Sequence, residues 1–250
     1  MVGINISNLK KSFGENVAVD IEHFEIHKGD MLGLVGNNGA GKTTLFRLLL
    51  DLLEADGGEI GMVHSSPSLP TGEGQSEAPI NPAKSEEWKQ FTGAYIDEAF
   101  LIEFLTPEEY FQFVAQANGM TQEETDERLK PFEHFMQGEI LGQKKLIRDL
   151  SAGNKQKVGI ISTMLSRPDL IILDEPFNFL DPSSQIIIKR LLKEYHDTTG
   201  ATILISSHNL QHTIDISTRI ALLEKGHIVK DLQNEAGSAE AELEQYFSVE

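Results

Sequence analysis

The stretch MLGLVGNNGAGKTT, residues 31–44, constrains this chain more than any other. Its first five residues are almost continuously apolar, which suits a short strand covered on both faces. The octet Gly36-x-x-x-x-Gly41-Lys42-Thr43 follows, and then leucines at helical spacing over TTLFRLLLDLLEAD, residues 43–56, closed by Gly57-Gly58. Strand, glycine loop and helix in this order form a phosphate cradle. The glycines let the backbone N–H groups of Asn37, Asn38, Gly39, Ala40, Gly41, Lys42, Thr43 and Thr44 curl around an anion, and the helix N-terminus adds partial positive charge. Lys42 is expected to reach β- and γ-phosphates, and the Thr43 hydroxyl to ligate Mg²⁺.

The rest of the chain supplies a sheet for this loop. LIIL (170–173) and TILISS (202–207) repeat the buried-strand character, and PSSQIIIKRLLKEYH (182–196) between them reads as a helix with proline at its start. Alternating strands and helices imply an α/β fold with a mainly parallel sheet. INISNL (4–9) alternates like an edge or half-buried strand, and RIALLEKGHIVKD (219–231) reads as a hairpin turning at Lys225-Gly226. From Thr106 to about Leu165 no buried strand appears and the pattern is helical, which predicts a subdomain inserted between two core strands. Residues 64–84 hold four of the nine prolines among Ser, Gly and Glu, and are expected to form a disordered excursion.

Charge and composition remove several classes. Twenty-one basic residues face 39 acidic ones, a net of −18, and that field repels nucleic-acid backbones and anionic lipid. The short basic stretches KKS (10–12) and QKKLIR (143–148) read as solvated surface. With no cysteine there is no disulfide framework, thiolate zinc site or cysteine nucleophile. MVGINISNLK carries no secretion signal, and no apolar run approaches the ~18 residues of a membrane span. A cytoplasmic protein is expected.

A second chemical element is LIILDEP, residues 170–176. A strand ending in acids places them at the carboxyl edge of the sheet, beside the loop, where such sheets bind ligands. Asp174 is expected to hold Mg²⁺ through its water, and Glu175 to polarise the water that attacks the γ-phosphate.

Together with LSAGNKQKV (150–158), NFLD (178–181) and SSH (206–208), these pieces resemble the ATP-binding-cassette (ABC) ATPases from Leu9 to about Lys230. The resemblance implies a P-loop NTPase core with a small antiparallel β subdomain (together 1–97 and 166–232), a helical subdomain over about 98–165 and an acidic C-terminal helix over about 236–250. It implies ATP and Mg²⁺ as cofactors and two copies closing head to tail, the loop of one facing the signature of the other. Phe13 then stands where an aromatic stacks on adenine. Ser151 and Gly153 would meet the γ-phosphate held by the partner subunit, Asp181 would lie across the dimer interface, and His208 would bond the γ-phosphate and orient the attacking water.

Three features depart from the family pattern. The usual LSGGQ reads LSAGN, with Ala152 and Asn154 replacing glycine and glutamine, while Gln156-Lys157 survives. Asp97 stands where a glutamine normally contacts Mg²⁺, or Glu98 does if the register slips by one. Phe177 and Phe179 occupy places where smaller residues are common. The implied function is the ATPase subunit of a transporter with a separate transmembrane permease, peripheral on the inner face of the cell membrane. GNKQK and FLTPEEYFQF most resemble bacterial type-2 exporter cassettes. The alternatives are a soluble cassette acting on ribosomes or DNA, and a nucleotide-gated module that does not hydrolyse ATP.

Overall fold

A computed structural model describes residues 1–65 and 78–248. Two sheets organise the chain. The larger contains β3 (Met31–Val35), β5 (Thr92–Tyr95), β6 (Leu170–Leu173), β7 (Thr202–Ser207), β8 (Arg219–Glu224) and β9 (His227–Gln233), in the order β5-β6-β7-β3-β8-β9. All pairs are parallel except β8–β9. Every residue of β3, β6 and β7 is buried, as the apolar runs of β3 and β6 and the ILI centre of β7 require of strands covered on both faces. The β8–β9 hairpin turns on Lys225 and Gly226, both at positive φ, the geometry of a tight two-residue turn.

The smaller sheet is antiparallel, in the order β2-β1-β4, from β1 (Val2–Phe13), β2 (Asn16–Ile26) and β4 (Gly57–His64). β1 is therefore its central strand and not an edge, because β4 returns from the first helix to cover its other side. Its alternation is still that of a strand with one buried face: Ile4 and Ile6 are inside and Asn5 is exposed.

That first helix, α1 (Lys42–Leu49), is shorter than the leucine spacing suggests. Asp51 takes a left-handed φ of 51°, Leu52 is exposed, and Gly57-Gly58 begins β4 instead of merely closing a helix. The chain must reverse here to reach β1. Asp56 fixes the reversal, its carboxylate accepting from the Ser12 N–H and Lys11 Nζ.

Helices α2 (Pro107–Ala117), α3 (Gln122–Leu129), α4 (Glu133–Met136) and α5 (Ala152–Leu165) lie between β5 and β6. Thr106/Glu109 and Thr121/Glu124 form reciprocal capping boxes on α2 and α3, satisfying backbone donors that the helix starts leave orphaned. Phe111, Phe135, Ile140 and Ile161 join this layer to Leu173 and Ile203 of the large sheet in one apolar cluster. Next come α6 (Pro182–Thr199), α7 (Leu210–Ile214) and α8 (Glu240–Ser248). Leu243 of α8 is buried with Val35, Ile220 and Leu222.

Of the expected excursion at 64–84, residues 66–77 lie outside the described residues. Its described flanks pack against the fold. His64 ends β4 with its ring stacked 4.3 Å from that of Phe91, and Met62 and Ile80 exchange two backbone hydrogen bonds.

Candidate functional site

The loop between β3 and α1 is shaped by what its glycines approach. A Cβ on Gly36 would stand 2.3 Å from the Leu223 carbonyl oxygen, and one on Gly41 would stand 2.2 Å from that of Ala18. Gly41 also has φ 110°, which side-chain-bearing residues rarely adopt. The loop is thus clamped between β8 and the β1–β2 hairpin, and further pinned where the Gly226 N–H donates to the Ala40 carbonyl at 2.9 Å. Asn37, Asn38 and Gly39 remain exposed along it.

Lys42 is 7% exposed and turns back over the loop, Nζ donating to the Gly36 carbonyl at 2.6 Å. Its ammonium also lies 3.6 Å from Oε1 of Glu175. Next to it the Thr43 hydroxyl donates to Oδ2 of Asp174 at 2.5 Å. The other Asp174 oxygen accepts from the Ser206 hydroxyl, and Ser206 Oγ in turn accepts the Glu175 N–H at 2.8 Å. Burial raises the Asp174 carboxyl above the ordinary carboxylate range, against the lowering effect of the two hydroxyls.

Glu175 adopts a left-handed φ of 47°, a conformation that costs free energy in a non-glycine residue and recurs where a side chain must be aimed. What holds it are the Ser206 hydroxyl on its N–H and Gln156 Nε2 on its carbonyl, at 3.3 Å. So aimed, its Oε2 meets Nδ1 of His208 at 2.8 Å. Lys42, Thr43, Asp174, Glu175 and His208 therefore converge within one chain at the carboxyl ends of β3, β6 and β7.

The remaining expected residues stand apart from this cluster. Ser151 caps α5 by accepting the Asn154 N–H at 3.2 Å, and a Cβ on Gly153 would lie 2.7 Å from the Phe179 carbonyl oxygen. Asp181 caps α6: its carboxylate accepts from the Ser183 and Ser184 N–H groups and from both their hydroxyls, which hold it well below the usual carboxylate range. Phe13 is exposed at the end of β1, with the Lys11 ammonium 5.7 Å from its ring centroid.

Asp97 lines a cleft of about 390 Å³ with Asp174 and Glu175, but its carboxylate is engaged elsewhere. It accepts from Arg47 Nη2 of α1 at 2.9 Å and from the Ala99 N–H at 2.9 Å. Glu98 pairs with Lys155 of α5 at 2.9 Å. The two rival acids thus tie the segment after β5 to different helices, one to the phosphate-loop helix and one to the signature helix.

Ser206 and Gln156 touch this cluster, and motif reading left them without roles. Ser206 lies inside the quoted SSH, and a serine directly after the apolar run ILI (203–205) of β7 was the available signal. Nothing in the linear sequence pairs Gln156 with Glu175.

Comparison with known proteins identifies the family of the chain. Residues 19–178 match the family model for the ABC transporter. The uncharacterized ABC transporter ATP-binding protein YhaQ of Bacillus subtilis is 32% identical over 89% of this chain and 68% of its own length. The methionine import ATP-binding protein MetN of Rhizobium johnstonii is 30% identical over 92% of this chain, which spans only 60% of that protein. The dimeric, post-hydrolysis structure of the ATP-binding cassette MJ0796 bound to ADP and Pi superposes with a TM-score of 0.76 at 20% identity, covering 93% of this chain and 99% of that one.

Proposed function

The chain belongs to the ABC transporter ATPases, and we propose that it is the ATP-hydrolysing subunit that drives a separate transmembrane permease, with export as its direction. The observation that carries the catalytic part is the Glu175 carboxylate, strained into place between His208 at 2.8 Å and Lys42 at 3.6 Å, one residue past the Asp174–Thr43 pair. Among the described residues no helix is long and apolar enough to cross a membrane, and in this proposal a second polypeptide supplies the span. The likeness of GNKQK and FLTPEEYFQF to exporter cassettes supports the direction.

Among the described residues no cluster of three or more His, Cys, Asp or Glu forms a self-contained metal site. The Thr43 hydroxyl beside a desolvated Asp174 carboxylate is instead the hard-oxygen half-site that suits Mg²⁺ shared with nucleotide phosphates. Bound there, the ion would neutralise charge developing on the phosphate oxygens.

The chain's own groups do the rest. Loop N–H groups and Lys42 Nζ hold the β- and γ-phosphates in line. Glu175 Oε2 accepts a proton from water as its oxygen bonds to the γ-phosphorus and the bond to the ADP oxygen breaks. His208, bonded to the same carboxylate, orients it and faces the terminal phosphate. ADP and inorganic phosphate leave. Phe13 supplies a face for adenine from the hairpin that also clamps Gly41.

Ser151 and Gly153 belong, in this proposal, to the site of a second copy. The exposed Ser151 at the N-terminus of α5 would meet another chain's γ-phosphate, and the exposed Phe179, beside the Asp181 cap, would pack in that interface. The assembly would lie on the cytoplasmic face of the membrane, held there by the permease.

Glu175→Gln tests the catalytic assignment. The variant should bind ATP, accumulate as an ATP-bound dimer and lose about 10²–10⁴-fold in phosphate release. Normal turnover removes Glu175 from the role of base. ATP-dependent accumulation in inside-out vesicles carrying the co-expressed permease tests export, and uptake only by right-side-out vesicles reverses the direction.

A further inference from the structure

Two arginines meet over an apolar hollow at the end of α6 remote from catalysis. Arg128 at the end of α3 and Arg167 just past α5 line a cavity of about 240 Å³ with Phe132, Met164, Leu191 and Tyr195. Tyr195 lies fourteen positions beyond the Asp181 cap, roughly 21 Å along the helix. The site is therefore separate from the phosphate loop.

Neither arginine forms an ion pair with a carboxylate among the described residues, in a chain whose net charge is −18. Of the acids nearby, Glu127 pairs with Lys130 and Glu194 with Arg190 at 3.8 Å, while Glu124, one turn before Arg128 on α3, acts on it without closing an ion pair. Nη1 of Arg128 is buried and has no hydrogen-bond partner among the described residues, a cost that a folded chain rarely leaves uncompensated. Burial and the neighbouring Arg167 charge lower the Arg128 pKa from its ordinary value. Arg167 has a left-handed φ of 55°, at a helix end where glycine or asparagine sits more easily. Two like charges lie together here, Arg128 with a buried, unpartnered Nη1 and Arg167 exposed on left-handed backbone, and a shared anion would complement both.

The Tyr195 hydroxyl donates to the Pro168 carbonyl at 2.7 Å, so its ring serves as wall. Phe132, Met164 and Leu191 add carbon surface to the lining, which an inorganic ion alone would leave uncovered. We propose that this hollow binds a compact anion carried on an apolar body, a phosphate monoester or a carboxylate, with Arg128 and Arg167 gripping the anionic head.

Arginine side-chain NMR on the ¹⁵N-labelled full chain tests this, with saturating Mg²⁺–ADP filling the phosphate loop throughout. Phenyl phosphate and phenylacetate are the probes, inorganic phosphate the reference, and Arg128→Gln and Arg167→Gln assign the two resonances. At least one aromatic probe should shift both arginines at about 10 mM, a range in which millimolar affinity registers. That probe should bind about tenfold more tightly than inorganic phosphate, as burial of a few methylene equivalents provides. Each single variant should weaken it about tenfold, equivalent to the loss of one charged hydrogen bond. Thermal melts establish that the variants are folded. The proposal is overturned if neither probe moves the two resonances, if the double variant binds equally well, or if inorganic phosphate binds as tightly as the better probe.

Discussion

Gly159→Ala puts a number on how tightly the signature helix is seated. A Cβ at this position would stand 2.2–2.4 Å from three carbons of the Tyr95 ring, more than 1 Å inside the contact optimum of about 3.5–4.0 Å. Tyr95 is 3% exposed and ends β5, and Gly93 on the same strand is equally close to the helix, its Cβ position 2.4 Å from the Thr163 carbonyl oxygen. Neither partner is the far end of a flexible chain. Two effects compete. Replacing a mid-helix glycine by alanine gains about 1 kcal/mol of helix propensity. Overpacking costs typically 1–3 kcal/mol, and three overlaps on a rigid ring place this site at about 3. The net loss is therefore about 2 kcal/mol, or roughly 4–8 °C in Tm for a chain of this size. Thermal unfolding followed by circular dichroism measures it. Tyr95→Leu should relieve the clash, so the double variant should be more stable than the sum of the singles by about 1–2 kcal/mol. A Tm at or above that of the parent chain would refute the reasoning, and strict additivity would show that the obstruction is not Tyr95.

Gly41→Ala meets both a positive φ and the Ala18 carbonyl, so it should abolish binding of a fluorescent ATP analogue while the fold survives; retained affinity would mean the loop has room to move. Asp174→Asn separates stability from metal use. A carboxyl whose folded pKa is raised opposes folding above that pKa, and the cost disappears below the unfolded value of about 3.8. The nucleotide-free variant should therefore melt higher than the parent at neutral pH, with the gap closing as pH falls toward 4. Its Mg²⁺ requirement for ATP hydrolysis should rise about 10–100-fold. A Tm gap constant across pH would show that Asp174 titrates normally. Asp97→Ala removes the Arg47 pair, which is solvent-exposed and worth less than about 1 kcal/mol, so Tm should barely move. If Asp97 also serves the metal, the Mg²⁺ dependence of ATP hydrolysis shifts in that variant, and an unchanged dependence assigns the residue to the Arg47 contact alone.

The phosphate loop was legible because its chemistry is local: close backbone approach demands glycine, and strand and helix patterns flank it within fourteen residues. Asp174 and Glu175 were legible for a related reason, since acids ending a buried strand can only emerge at its carboxyl edge. The parallel core followed from unbroken apolar runs. Leucine spacing misplaced the end of α1, because Asp51 and the pull of Asp56 toward β1 are tertiary facts. INISNL read as an edge or half-buried strand because its second partner, β4, is about fifty residues away.

Sequence by itself determined the kinds of residue that can hold a triphosphate and the strand ends that carry them. Only the tertiary structure decided how they are aimed. Ser206 bridges Asp174 and Glu175 from a third strand, Gln156 reaches the Glu175 carbonyl from the inserted helices, and Arg47 turns Asp97 toward α1. The Arg128–Arg167 hollow belongs to the same class, joining residues 39 positions apart that no motif links. Spacing along a chain fixes local geometry through a few dihedral angles, whereas side-chain direction across elements is settled by packing between segments the sequence leaves far apart.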